Sequence, residues 1–221
     1  MLSKRRRRQI NFEIFSHVAK EYFGEISKDD GRHKILEEAY SFYVVPGGRN
    51  GGTNKREVEI FYGTRPFESV IDYVQREDGM PVRRRKLLAE HGASLVYDMA
   101  DNGMVTCILY PPESDNLRRT ESAIILDHIV KTEKLTGMPC LEGHWKCLMS
   151  YMQVASLEGE PTWRDRFRVM WLTLSRHLVV DGKHRSPWLR EKMGWVVLFV
   201  LTVGFSGWAL EIVKRVFFPG T

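Results

Sequence analysis

Apolar residues recur at every fourth position from Ile10 to Ile26 (Ile10, Ile14, Val18, Tyr22, Ile26), and Phe15 and Phe23 widen the stripe. This spacing predicts an amphipathic helix, broken at Asp29-Asp30-Gly31. Ala39–Val45 and Glu57–Tyr62 are aromatic and β-branched and predict strands, joined by a glycine-rich loop over 47–56. Phe67, Val70, Ile71 and Val74 repeat at helical intervals, and Val82–His91 is rich in good helix formers, so two short helices are expected there. A hairpin follows, with Ala93–Met99 and Met104–Tyr110 flanking Asp101-Asn102-Gly103, whose Asn-Gly pair favours a tight turn. Ser122–Val130 suits either a strand or a helix, with a third strand of a meander the expectation, and Leu141–Ala155 and Trp163–Val179 read as helices. The pattern up to this point is α+β, with a mostly antiparallel sheet and flanking helices.

The pattern changes after Lys192. Residues 193–210 carry no charge, and eighteen residues at about 1.5 Å each give about 27 Å of helix, close to the hydrocarbon thickness of a bilayer. Ser186 and Pro187 form a helix start. Trp188, Trp195 and Trp208 sit near the two ends of the apolar stretch as interfacial aromatics, and Lys214 and Arg215 can snorkel beyond it. One C-terminal transmembrane helix is therefore expected over 186–215, with a tail at 216–221. Gly204, Gly207 and Glu211 stack on one stripe of that helix, and Thr202 and Ser206 lie beside it. Small residues permit close helix contact in lipid, and a glutamate there favours a neighbouring helix or water over acyl chains, which predicts self-association. The preceding segment, with Trp163, Phe167, Met170, Trp171, Leu174 and Leu178 on one face, suits either core packing or a membrane interface; core packing is the expectation.

Composition localises the charge. Lys and Arg number 33 against 28 Asp and Glu, and Lys4 to Arg8 alone account for the net charge of +5. Residues 1–9 are expected to form a flexible basic start, and residues 10–182 a balanced domain. The basic excess is thus no argument for nucleic acid as a partner. Cys107, Cys140 and Cys147 are an odd number, and no apolar leader follows Met1, so the domain is expected in a reducing cytoplasm. In a bacterium, the membrane would be the inner one.

Little conventional chemistry is legible. Arg83, Arg84, Arg85 and Lys86, with Arg118 and Arg119, are candidates for an anionic ligand if the fold joins them. The glycine loop has no Gly-Lys-Ser/Thr ending and joins strands, so a phosphate loop is excluded. Cys140, His144 and Cys147 share a helical face, but a structural zinc site needs four ligands and only distant histidines, His91 or His128, offer a fourth. The expectation is therefore no metal and no cofactor. Asp127 and His128 would point to opposite faces of a strand, and no arrangement argues for an enzyme.

In layout only, with no motif-level match, the chain resembles the small membrane effectors of bacterial antiviral defence systems, which join a cytosolic sensor to transmembrane helices. The layout implies a tail-anchored, single-pass, homo-oligomeric protein. Its cytosolic domain would sense an anionic ligand or a protein partner, and its anchor would alter membrane integrity. A tethered adaptor is the alternative, and a membrane-bound enzyme acting on nucleotides or nucleic acid is a weaker one.

Overall fold

The computed structural model describes residues 3–49, 52–75, 81–115, 120–180 and 182–187. Helix α1 (Lys4–Lys28) begins at Ser3, whose hydroxyl accepts the Arg6 amide, so the arginine run forms the first helical turns instead of a flexible lead. The Arg8 guanidinium donates to the Asn102 carbonyl, which seats this end of the helix on the turn of a hairpin. The helix buries Phe12, Phe15, Ala19 and Phe23, and of the fourfold stripe only Ile26 is buried; Ile10, Val18 and Tyr22 are half-buried and Ile14 is left 47% exposed. Three phenyl rings have more area to remove from water than the aliphatic stripe beside them, and they decide which face turns inward.

Asp29 ends α1, and Asp30 caps α2 (Gly31–Tyr40), a helix missing from the sequence pattern. Strand β1 (Phe42–Pro46) then pairs with β2 (Glu57–Tyr62). The next two segments overturn the sequence expectation. Instead of two short helices they form long paired strands, β3 (Thr64–Gln75) and β4 (Pro81–His91), with a bulge between Pro66 and Glu68. Strands β5 (Ser94–Met99), β6 (Val105–Tyr110), β7 (Glu113–Ser114) and β8 (Ala123–Ile129) follow. A 3₁₀ turn at Thr132–Thr136 leads into α3 (Met138–Ala155) and α4 (Trp163–Ser175). The predicted last helix stops at Ser175, because His177–Val180 joins the sheet as β9 and pairs with β10 (Lys183–Arg185).

The fold is thus α+β with antiparallel pairing throughout the described strands. Seven strands run in the order β1-β2-β5-β6-β8-β9-β10, and β3, β4 and β7 form a separate three-stranded arm. Register places Val44, Ile60, Leu95, Leu109 and Ile124 in one row on the inner face. All but Val44 are fully or almost fully buried, and α1 and α3 cover this side with Phe15, Phe23, Trp145, Leu148 and Met149. On the outer face, Val45, Glu59, Val96, Ile108 and Ile125 form the corresponding row.

Candidate functional site

Four features of the domain carry chemistry. The first is α4. Thr162 and Asp165 form a reciprocal capping box at its start, and Asp165 also accepts from Ser150 (2.9 Å) and Arg32 (3.1 Å). These bonds tie α4 to α3 and α2 and turn Asp165, Val169 and Leu172 inward. Burial opposes ionisation of Asp165, but the hydroxyls of Thr162 and Ser150, the Thr162 amide and Arg32 outweigh it and hold the carboxyl below its usual range. The opposite stripe faces solvent: Trp163 is 72% exposed, Phe167 55%, and Met170 and Trp171 49% each. Phe167 and Trp171 stack, and Arg164 lies 5.6 Å from the centre of the Trp163 ring. The core-packing expectation for this face is therefore overturned. Capping by a buried aspartate fixes the rotation of the helix and leaves the tryptophans outside.

The second feature is the arm. Arg83, Arg84, Arg85 and Lys86 are all exposed and lie on strand β4, not on a helix. Strand alternation sends Arg83 and Arg85 to one face, with their cross-strand partners Tyr73 and Ile71, and Arg84 and Lys86 to the other, opposite Asp72 and Val70. The four cations therefore do not form one pocket. Lys86 meets Asp115 at 3.4 Å. Arg118 and Arg119 lie outside the described residues, although β7, just before them, pairs with the base of β4.

The third feature is a groove of about 680 Å³ on the outer sheet face, lined by Glu57, Glu59, Asp98, Glu113, Val96, Ile108 and Tyr110 among others. The glycine-rich loop closes one end of it. Gly47, Gly48 and Gly52 adopt positive φ, and the loop folds Arg49 back onto Glu59 (2.6 Å) and over the Phe61 ring (4.2 Å). The arginine that a phosphate loop would present is thus committed to a buried carboxylate. Burial and the neighbouring Glu57, Glu59 and Asp98 all push the Tyr110 hydroxyl up, as expected beside clustered negative charge.

The fourth feature lies between α3 and β8. Asp127, Cys140 and His144 each present a donor atom, and these atoms lie within 4.8 Å of one another. Sequence spacing groups Cys140 and His144 with Cys147 and offers only His91 or His128 beside them, whereas the fold brings Asp127 to Cys140 and His144. His91 sits at Thr64 Oγ1 (2.8 Å) on the arm, and His128 is exposed beside Thr106, while Asp127 faces the helices. Asp127 is the register partner of the buried Cys107, so both point to the helix-covered face. A bulge follows immediately in that pair of strands. Nothing local in the sequence announces it. Burial keeps His144 neutral, lowering it to about 4, and its Nδ1 lies 2.9 Å from the Tyr97 hydroxyl.

Comparison with known proteins adds no relative. No protein-family model, curated protein or solved structure matches this chain. Among the described residues no helix is long and apolar enough to cross a membrane. The expected transmembrane helix lies outside them, with its association residues Thr202, Gly204, Ser206, Gly207 and Glu211 and its interface residues Trp188, Trp195, Trp208, Lys214 and Arg215.

Proposed function

We propose that this chain is a tail-anchored membrane protein whose α+β domain works at the cytoplasmic surface and whose 193–210 segment crosses the bilayer and associates with copies of itself. The observation that carries this reading is the uncharged run of eighteen residues at 193–210, long enough for the hydrocarbon core. The geometry of α4 supports it. An amphipathic helix with two exposed tryptophans, an exposed phenylalanine and the exposed cations Arg164, Arg166 and Arg176 has the character of a helix that lies in the headgroup layer. Basic residues there gain about 1 kcal/mol each beside anionic lipid. In this arrangement the domain rests on the membrane through α4 while its acidic groove faces away from the like-charged headgroups. A ligand or partner bound by the domain changes the packing of the anchors through Gly204, Gly207 and Glu211, and the membrane becomes leaky.

A second reading, a tethered adaptor, draws on the open sheet face. The groove combines carboxylates with half-buried aliphatic side chains and suits a basic protein segment. The two readings separate in one experiment. The full chain and a version ending at Pro187, which keeps β10, are expressed in bacteria, membranes are fractionated, and entry of an impermeant dye is followed. The effector reading expects the full chain in membranes with dye entry, and loss of dye entry, but not of membrane location, in Glu211→Leu. Membrane location without dye entry in any variant supports the adaptor. A full chain found only in the soluble fraction overturns both. For α4, the version ending at Pro187 should float with anionic vesicles, and Trp163→Ser with Trp171→Ser should abolish that flotation.

A further inference from the structure

The Asp127, Cys140 and His144 cluster serves neither the anchor nor the groove, and two elements far apart in topology, strand β8 and helix α3, converge to make it. We propose that these three side chains form a mononuclear site for a borderline divalent transition metal, zinc foremost, with a fourth position open to water. The donor set is the first argument. Thiolate, imidazole and carboxylate together suit zinc, and three protein ligands with one open position are the arrangement of a zinc ion that holds a reactive water. Donor atoms around such an ion lie about 3.3–3.8 Å apart, given bonds of about 2.0–2.3 Å. The present spread of up to 4.8 Å closes by small rotations of Asp127 and Cys140, both only partly buried.

The second argument is the support around the donors. Tyr97, itself fully buried, engages His144 Nδ1 and leaves Nε2 as the nitrogen able to bind a metal without breaking that bond. A ligating histidine held at its other nitrogen is the usual outer arrangement of such sites. Cys140 lies in the first turn of α3, where the helix dipole favours a thiolate. The bulge beside Asp127 is a common device for aiming a side chain at a site.

The test uses the untagged full chain in mild detergent, stripped of metal by chelation and titrated with Co²⁺ as a spectroscopic probe. One Co²⁺ per chain is expected, with a sulfur-to-cobalt charge-transfer band that Zn²⁺ displaces. Cys140→Ser should abolish the band. Asp127→Asn should weaken Co²⁺ binding about 10-fold or more, and Tyr97→Phe should weaken it about 10-fold while keeping the band, as loss of an outer partner does. No sulfur-to-cobalt band in the wild-type chain at saturating Co²⁺ overturns the proposal, and this reading does not depend on any variant folding. A band that survives Cys140→Ser also overturns it, because the thiol would then be Cys107 or Cys147. Unchanged affinity in Asp127→Asn rejects the carboxylate as a ligand and with it the three-donor site.

Discussion

Ser41 shows how a single backbone position can oppose the fold around it. It follows α2 with φ 58° and ψ 145°, a combination that a residue with a Cβ adopts only under constraint. The constraint is visible: the Ser41 amide donates to the Glu37 carbonyl, and its own carbonyl accepts from Gly63. Tyr40 on one side and Phe42 on the other are both held by the core. Ser41→Gly removes the Cβ and keeps both backbone bonds, so it should raise stability by about 1 kcal/mol, read as an increase in melting temperature. Any fall in melting temperature would mean that the serine side chain contributes more than its backbone costs. Single residues also mark where sequence reading stops. Cys140 and His144 are visible as a helical pair because spacing within one helix is a local property. Asp127 is not, because its approach depends on strand pairing and a bulge. The exposure of Trp163 is likewise set by Asp165, whose partners Arg32 and Ser150 come from two other helices.

Among elements, legibility follows the presence of a core. Strands β2, β5, β6 and β8 and helix α3 were readable because each has one face on the core, and burial imposes a period on the sequence. The arm was not. Residues 68–73 and 83–87 are exposed on both faces, so no burial period exists to be read, and Val82–His91 carries helix formers. Pairing along the whole length of β3 and β4 then outweighs local propensity. The arm leaves the sheet where Gly63 and Gly92 meet, the Gly92 amide donating to the Gly63 carbonyl at 2.9 Å. A Cβ on Gly92 would run into the Cβ and carbonyl of Tyr62, which is buried. Gly92→Ala should therefore cost about 1–3 kcal/mol by overpacking. Leu87→Thr, on the exposed part of the arm, should stay within about 0.5 kcal/mol of the parent. Thermal unfolding by circular dichroism distinguishes them. Equal losses would mean that the arm is part of the cooperative core and not an appendage pinned at its base.

At the scale of the whole molecule, buried polar groups set the pH range over which the domain holds together. On the acid side, Asp165 and Asp30 both lie below the ordinary value of 3.8. For Asp30, burial acts against ionisation, and hydrogen bonds and charge from Arg32 overcome it. A depressed carboxyl contributes stability that is complete above the unfolded value and is lost as pH falls through the folded one. The two aspartates share Arg32, so protonation should release α2 from α4 in the window below pH 3.8. On the alkaline side, Tyr40 is pushed up from 10.0 to about 12 by burial and by the Glu90 carboxylate that its hydroxyl donates to at 2.5 Å. A raised phenol keeps its proton when the unfolded chain has lost it, so stability falls as pH rises from 10 to about 12. Tyr40's own share of that loss is at most about 3 kcal/mol, at about 1.4 kcal/mol for each pH unit. Unfolding midpoints measured in detergent with chelator from pH 2.5 to 12 should thus show an acid limb and an alkaline limb, and Tyr40 shares the alkaline one with Tyr62, Tyr97 and Tyr110, which burial also pushes up. Asp165→Asn should lower stability at neutral pH and flatten the acid limb while leaving the alkaline one. Tyr40→Phe should cost about 1–2 kcal/mol at neutral pH for the lost hydrogen bond to a buried carboxylate and make the alkaline limb shallower, leaving the share of the other buried phenols. An acid limb unchanged in Asp165→Asn would show that the α2–α3–α4 link through this carboxylate does not hold the helical layer on the sheet. The orientation of α4, and with it the exposed tryptophan face, would then need another cause.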